Sequence, residues 1–115
     1  MLFRSGRIVN PDGVINQAEG GIVQAASWTL KEQVRFDRTR ITSASWETYP
    51  ILRFSEVPAV EVVLLQHPEA PSLGAGEAAL GPTAGAIANA VCDAIGVRVR
   101  DLPLTADRVA AATPA

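Results

Sequence analysis

The chain has 115 residues, of which 48% are hydrophobic and 19% charged, and its formal net charge is −2. This composition is that of one folded domain, and it excludes a disordered tail and a polybasic arm for binding nucleic acid. One cysteine, Cys92, rules out an intrachain disulfide framework, and one histidine, His67, rules out a histidine cluster for metal.

The first predicted element is a helix that follows the turn signal Asn10-Pro11-Asp12-Gly13. Gly20 and Gly21 lie in its middle, and each interior glycine costs about 0.8–1 kcal/mol relative to alanine. Two explanations stay open, close packing on another helix and close approach to a ligand, and the residues alone favour packing. The apolar residues recur at helical spacing and would share one face: Ile15, Ala18, Ile22, Ala26 and Leu30.

Short strands are predicted between the two main helices. Val34 and Phe36 alternate with polar residues ahead of a polar turn and Ile41, a pattern typical of a hairpin. Residues 60–65 are nearly all apolar and rich in valine, which predicts a strand covered on both faces. The fold class expected is therefore α+β, with two main helices packed on a small mixed or antiparallel sheet in one domain, residues 1–115.

A second helix is predicted from Gly81-Pro82 to Gly96, because proline suits a first helical turn and glycine suits the residue after a last one. After a short extended stretch, Thr105 is expected to cap a last short helix that ends at Ala112.

The turn before the second helix, Gly74-Ala75-Gly76-Glu77, has more than one interpretation. Residues 74–79 match the dinucleotide-binding pattern G-x-G-x-x-A, but eight residues with two prolines separate them from the preceding strand, so the match is weak. Alternatively, Glu77 is a carboxylate on a sharp turn whose bare backbone can approach a large ligand, and an apolar setting would suit a general base. Spacing alone favours an ordinary solvated loop glutamate.

Three blocks of sequence, in order, carry a family resemblance. Residues 16–26 resemble a Q-x-E-G-x-x-x-Q-G helix, and residues 48–58 resemble a T-Y-x-I-P segment that precedes a strand. The third block joins Gly74-Ala75-Gly76-Glu77 to helix residues 87–91 and resembles a G-x-G-E turn. On these blocks the chain resembles the C-terminal part of the molybdenum-binding large subunit of the xanthine dehydrogenase and aldehyde oxidase family. The bacterial branch with nicotinate and isoquinoline dehydrogenases is the most similar.

The resemblance implies a reaction and a set of site residues. The reaction is oxidative hydroxylation of an N-heterocycle or an aldehyde, with water as the oxygen source. Glu77 matches the general base at the molybdenum centre, and Gln17 matches a glutamine near the pterin. The metal is expected to be held through the pterin and not by protein ligands. Further residues whose backbone is expected to pass close to the cofactor are Gly20, Gly21, Gly74, Ala75 and Gly76.

The same resemblance implies a cofactor, partners and boundaries. The cofactor is molybdenum–molybdopterin cytosine dinucleotide, bound in the full-length subunit and not by this chain alone. The partners are the upstream remainder of the large subunit, an iron–sulfur subunit or domain, and the small-molecule substrate, with no nucleic acid and no membrane span. The chain would then be the truncated end of a cofactor-binding domain, with residues 1–6 non-native or disordered and residues 113–115 a loose tail. A cytoplasmic location is favoured over a periplasmic one.

Two other functions remain open at this point. One is a small non-catalytic α+β binding or assembly module without cofactor. The other is a nucleotide-binding enzyme that uses residues 74–79.

Overall fold

A computed structural model describes residues 5–113 of the chain. In that part, three α-helices account for most of the regular structure: α1 (Pro11–Leu30), α2 (Leu80–Ile95) and α3 (Ala106–Ala112). A single 3-10 turn spans Phe54–Glu56. The connections between the helices are long and mostly irregular, and they lie against α1.

The residues of the predicted turn, Asn10-Pro11-Asp12-Gly13, form the start of α1. Asn10 is the N-cap, and its side-chain oxygen accepts a hydrogen bond from the N–H of Gly13 at 3.0 Å. Pro11 stands in the first turn, where its missing N–H leaves nothing unsatisfied. The predicted turn is therefore the first turn of a helix that is longer than its apolar pattern indicated.

The other two helices agree with the sequence pattern. α2 ends at Ile95 because Gly96 adopts a left-handed conformation with φ of 71° and donates its N–H to the carbonyl of Cys92. α3 follows Thr105 and ends at Ala112, but the side chain of Thr105 makes no capping hydrogen bond, so the predicted cap is one of position only. The helix predictions are confirmed at both of these C-terminal ends.

The contact between α1 and α2 passes through a glycine. Gly21 is buried, and a Cβ built on it would lie 3.3 Å from the Cβ of Ala79, just ahead of α2. A Cβ on the neighbouring Gly20 would meet nothing within 4 Å. The packing explanation of the double glycine therefore holds for Gly21, whereas Gly20 faces open space. Within residues 5–113 the buried apolar side chains are few: Ala25, Ala26, Ala79 and Leu104.

The predicted mixed or antiparallel sheet is wrong for residues 5–113. The β-type pairing within them is one isolated antiparallel bridge between Phe36 and Ile41, which is all that forms of the predicted hairpin. Residues 60–65 alternate between half-buried and exposed as a strand would, yet no backbone hydrogen bond joins them to another described segment. Alternation reports which face of a segment packs, whereas a sheet also needs a neighbour that pairs the backbone N–H and C=O groups. The prediction that both faces of this segment are covered is also wrong, since Val63 is 72% exposed.

The chain is less compact than a self-contained domain of its length. Its radius of gyration is 17.2 Å, where a globular domain of this size has about 13 Å. Its accessible surface is 8476 Å², where about 6,000 Å² is typical for this mass. Large apolar side chains are accordingly in water, including Phe54, Phe36 and Trp46. The fold thus exposes apolar surface that an independent domain would bury.

Among the described helices, none has both the length and the apolar character needed to cross a bilayer. Residues 1–4 and 114–115 lie outside the described part, and with them most of the predicted disordered start and of the predicted loose tail.

Candidate functional site

The turn that carries Glu77 lies beside the first half of α1. A Cβ built on Gly76 would lie 3.8 Å from Nε2 of Gln17, which is exposed on the helix. The structure therefore brings together the first and the third of the three sequence blocks. Their meeting depends on the packing of α2 on α1 and could not be inferred from spacing along the chain.

Two cavities border this turn, and Ala75 lines both of them. The first has a volume of about 310 Å³, and its lining includes Gln17, Gly76, Arg7 and Asn10. The second has a volume of about 270 Å³ and is mainly apolar, with lining from α1 and from residues 61–65. The turn thus borders two cavities, each lined by both polar and apolar residues.

Two chain segments, residues 5–7 and 70–73, cross at Gly6. This contact holds in place the loop that leads into the turn at Gly74. Gly6 has φ of 67°, and a Cβ there would overlap the carbonyl oxygen of Pro71. The N–H of Leu73 donates to the carbonyl of Ser5 at 2.8 Å. Because only glycine combines this backbone conformation with such a close approach, the crossing depends on the residue type at position 6.

Arg7 strengthens the same crossing and is a residue that sequence reasoning missed. Its backbone N–H donates to the carbonyl of Ala70 at 3.0 Å, and its Nε donates to the carbonyl of Pro68 at 3.2 Å. Arg7 also lines the first cavity, so it lies within reach of a ligand there. The signal available in the sequence was only its place beside a glycine near the start of the family resemblance.

Glu77 itself is exposed, and within the described residues its carboxylate has no hydrogen-bond partner. Its backbone carbonyl accepts a hydrogen bond from the N–H of Leu80 at 3.2 Å, which fixes the turn against the start of α2. Ala79 is buried behind it. The sequence led us to expect an apolar enclosure for this carboxylate, and the described residues do not provide one.

The remaining predicted contact residues separate into two groups. Ala75 and Gly76 line the first cavity with Gln17, and Gly74 precedes them with nothing within 4 Å of a Cβ built on it. Gly20 and Gly21 do not line either cavity at the turn. The predicted residues of the turn therefore lie near Gln17. Of the double glycine, Gly21 packs against Ala79 and Gly20 faces open space.

The second sequence block docks on the far end of α1. The hydroxyl of Ser27 accepts the N–H of Leu52 at 3.0 Å, and the hydroxyl of Tyr49 donates to the carboxylate of Glu32 at 2.7 Å. The hydrogen bond to Glu32 raises the pKa of Tyr49. From Gln17 to Leu30, the last residue of α1, the helical rise is about 20 Å, so this block supports the far end of α1 rather than the turn.

An ion pair between Lys31 and Glu56 completes that contact. The hydrogen bond from Lys31, together with one from the backbone N–H of Arg53, lowers the pKa of Glu56. Both partners are part-exposed, so the pair adds little to stability but fixes the register of the loop on the helix.

Within residues 5–113 no group of three or more His, Cys, Asp or Glu side chains lies close enough to hold a metal ion.

A dinucleotide-binding fold of the Rossmann type is also absent from these residues, because the turn at residues 74–77 does not follow a paired strand.

Comparison with known proteins adds independent findings. The family model of the molybdopterin cofactor-binding domain matches residues 2–58. The chain is 49% identical over 108 residues to one of the subunits of nicotinate dehydrogenase from Pseudomonas putida, covering 94% of this chain and 9% of that protein. It is 35% identical over 99 residues to the beta subunit of isoquinoline 1-oxidoreductase from Brevundimonas diminuta, covering 86% of this chain and 12% of that protein.

Among solved structures, the crystal structure of quinoline 2-oxidoreductase from Pseudomonas putida 86 superposes with a TM-score of 0.84 at 28% identity. The superposition covers 94% of this chain and 15% of that one. The chain therefore spans a small fraction, between 9% and 15%, of the length of these three proteins.

Proposed function

The chain belongs to the molybdopterin cofactor-binding domain family of xanthine dehydrogenase-type hydroxylases, and from this premise we propose that it supplies one wall of the molybdenum cofactor site. The proposed activity of the whole subunit is oxidative hydroxylation of an N-heterocycle or an aldehyde, with water as the oxygen source. Three of the similar proteins are named for nicotinate, isoquinoline and quinoline, which supports the N-heterocycle class.

The observation that carries the proposal is the approach of Gln17 to Gly76. It places a side chain with both hydrogen-bond donors and an acceptor beside a turn that has almost no side chains of its own. At Gly74 the space that a Cβ would fill is open, so the backbone there is bare to a ligand. These residues fit a large ligand that is held by hydrogen bonds, as a pterin dinucleotide would be.

Gln17, Gly74, Ala75 and Gly76 would hold the cofactor, for which we propose the cytosine dinucleotide form. When bound, the cofactor supplies the molybdenum centre at which the substrate is oxidised by two electrons. The amide of Gln17 would orient the pterin, and the exposed N–H groups of the turn would donate to its polar edge.

Glu77 would act as the general base, its carboxylate oxygen accepting the proton of the attacking water-derived oxygen. The carboxylate is free for this role, since it is exposed and is followed by two alanines that add no bulk. A base of this kind works best where bulk water is excluded. Because the described residues leave Glu77 in water, the cofactor and the rest of the subunit would have to provide that exclusion.

The proposed partners follow from the same family membership. An iron–sulfur subunit or domain would accept the electrons, and the rest of the large subunit would complete the substrate pocket. We further propose that the 115-residue chain binds no cofactor by itself and is inactive, because its turn and Gln17 form one wall and the described residues leave both in open space.

The test is a Glu77→Gln substitution in the assembled, metal-loaded subunit that contains this chain. Glutamine keeps the size of the side chain but cannot accept the proton, so turnover should fall roughly 10²- to 10⁴-fold while the molybdenum content stays unchanged. Glu69→Gln is the matched control, because Glu69 is an exposed glutamate in the loop that leads to the same turn. Unchanged turnover of the Glu77 variant would remove it as the base.

A further inference from the structure

A third cavity lies at the other end of the molecule and shares no residue with the two at the turn. Its volume is about 720 Å³, and its lining includes Arg98, Val99, Arg100, Asp101, Leu102 and Arg108. We call it the arginine groove, defined by these six residues. Its size falls within the range of small-molecule sites, which is about 300–1,000 Å³.

The first two arginines of the groove both expose their side chains. Along residues 97–100 the burial alternates, with Val97 and Val99 half-buried and Arg98 and Arg100 exposed. Both arginines also line the cavity. Two solvent-accessible cations therefore border the groove.

The third guanidinium comes from α3, where Arg108 is half-buried. One of its Nη atoms donates to the carbonyl of Pro103 at 3.1 Å. Arg98 is held in a similar way, because its Nη1 donates to the side-chain oxygen of Asn89 at 2.9 Å. Both guanidinium groups are thus fixed by one bond each, and most of their five N–H groups are left for a ligand.

The charges in the arginine groove are not cancelled by these contacts. The two acceptors, an amide oxygen and a backbone carbonyl, are neutral. Within residues 5–113 the ion pairs are those of Lys31 with Glu56 and of Arg40 with Asp37, and both lie elsewhere. Among the described residues, Asp101 is the single carboxylate in the lining, so their side chains carry a net charge of about +2.

We propose that the arginine groove binds a small oxyanion that carries two or more negative charges. Guanidinium groups present planar forks of N–H donors that match phosphate and carboxylate oxygens, and several of them together favour a multivalent anion over chloride. Phosphate and carboxylate groups share this chemistry, and the two probes of the experiment distinguish them. This inference is independent of the proposed molybdenum site.

The experiment uses the full 115-residue chain with ¹⁵N label, titrated with pyrophosphate and, separately, with citrate. Ionic strength is held constant with chloride, and the shifts of amide signals from residues 97–108 are followed. A phosphate ligand predicts tighter binding of pyrophosphate, and a carboxylate ligand predicts tighter binding of citrate. If neither anion shifts these signals, the proposal is overturned.

Two variants test the contribution of the arginines. Arg100→Gln removes an exposed guanidinium that makes no hydrogen bond within the described residues, so the fold should persist, as circular dichroism can verify. It should weaken binding roughly tenfold or more, as should Arg108→Gln. Arg38→Gln is the matched control on a distant exposed turn and should leave the dissociation constant unchanged. An equal loss in the Arg38 variant would show non-specific attraction and would overturn the proposal.

Discussion

Gln17 of α1 lies against Gly76 of the turn that carries Glu77, with 3.8 Å between Nε2 and the position of a Cβ at residue 76. Two segments that are distant in sequence therefore share one cavity wall. The contact is possible because Gly21 and Ala79, both buried, let α2 begin close to α1. Helix packing thus positions the turn, and the turn presents its bare backbone beside an amide side chain.

The double glycine in α1 leads to a prediction about stability. Gly20→Ala should raise the free energy of unfolding by about 0.8–1 kcal/mol, because a Cβ there meets nothing and alanine is the better helix former. Gly21→Ala should leave the free energy of unfolding clearly below that of the Gly20 variant, because the added Cβ would lie 3.3 Å from that of Ala79 and would crowd the contact between α1 and α2.

Urea unfolding of the two variants, followed by circular dichroism, measures the difference. Each variant is the control of the other, since the substitution and the helix are the same. Stabilisation by both alanines to a similar extent would mean that Gly21 is not a packing glycine.

The crossing at Gly6 leads to a second prediction. Gly6→Ala should be strongly destabilising, by about 1–3 kcal/mol or more, because the left-handed backbone is strained for alanine and its Cβ would overlap the carbonyl of Pro71. Amide hydrogen exchange at Leu73 should also accelerate, since its hydrogen bond to Ser5 would be lost. Wild-type exchange at this amide in the variant would contradict the crossing.

The contact of Lys31 with Glu56 leads to a prediction about pH. The pKa of Glu56 is lowered in the folded chain, so its contribution is present above its ordinary pKa of about 4.5 and is lost as the pH falls through the lowered folded value. The loop at residues 53–56 should therefore loosen from α1 only in acid. Amide signals of this loop, followed by NMR from pH 6 down to about pH 3, measure the transition.

Glu56→Gln should remove most of that acid transition at the loop. Glu47→Gln serves as its control, because Glu47 is an exposed glutamate of the preceding segment that makes no side-chain hydrogen bond within the described residues. A loop transition that persists unchanged in the Glu56 variant would assign it to another group.

The helices could be predicted from the sequence because their signals are local. The cap at Asn10 marks the start of α1 and the left-handed Gly96 marks the end of α2, and each acts within one turn of chain. The sheet was predicted wrongly from residues 60–65, because their apolar run indicates burial and does not show whether the backbone has a partner to pair with. Whether a strand finds a neighbour is a property of the whole fold, which no local pattern contains.

Residues of the candidate site could be proposed from the sequence, but their surroundings could not. The resemblance singled out Gln17 and the turn at residues 74–77, and these lie together. No local sequence signal distinguished Gly21 from Gly20. They differ because Ala79 lies against Gly21, whereas nothing lies within 4 Å of a Cβ built on Gly20. The exposure of Glu77 was also missed, since enclosure depends on groups that the turn itself does not contain.

If the cofactor lies against the turn, a side chain added at Gly74 should interfere with its binding. A side chain at Gly74 would meet nothing within 4 Å in this chain, so Gly74→Val should leave the fold intact and disturb only a ligand. Gly81→Val is the matched control, with equally open space on α2. In the assembled subunit, molybdenum content per chain should fall severalfold or more for Gly74→Val and remain at the wild-type level for Gly81→Val. Equal molybdenum content in both variants would contradict the placement of the cofactor at this turn.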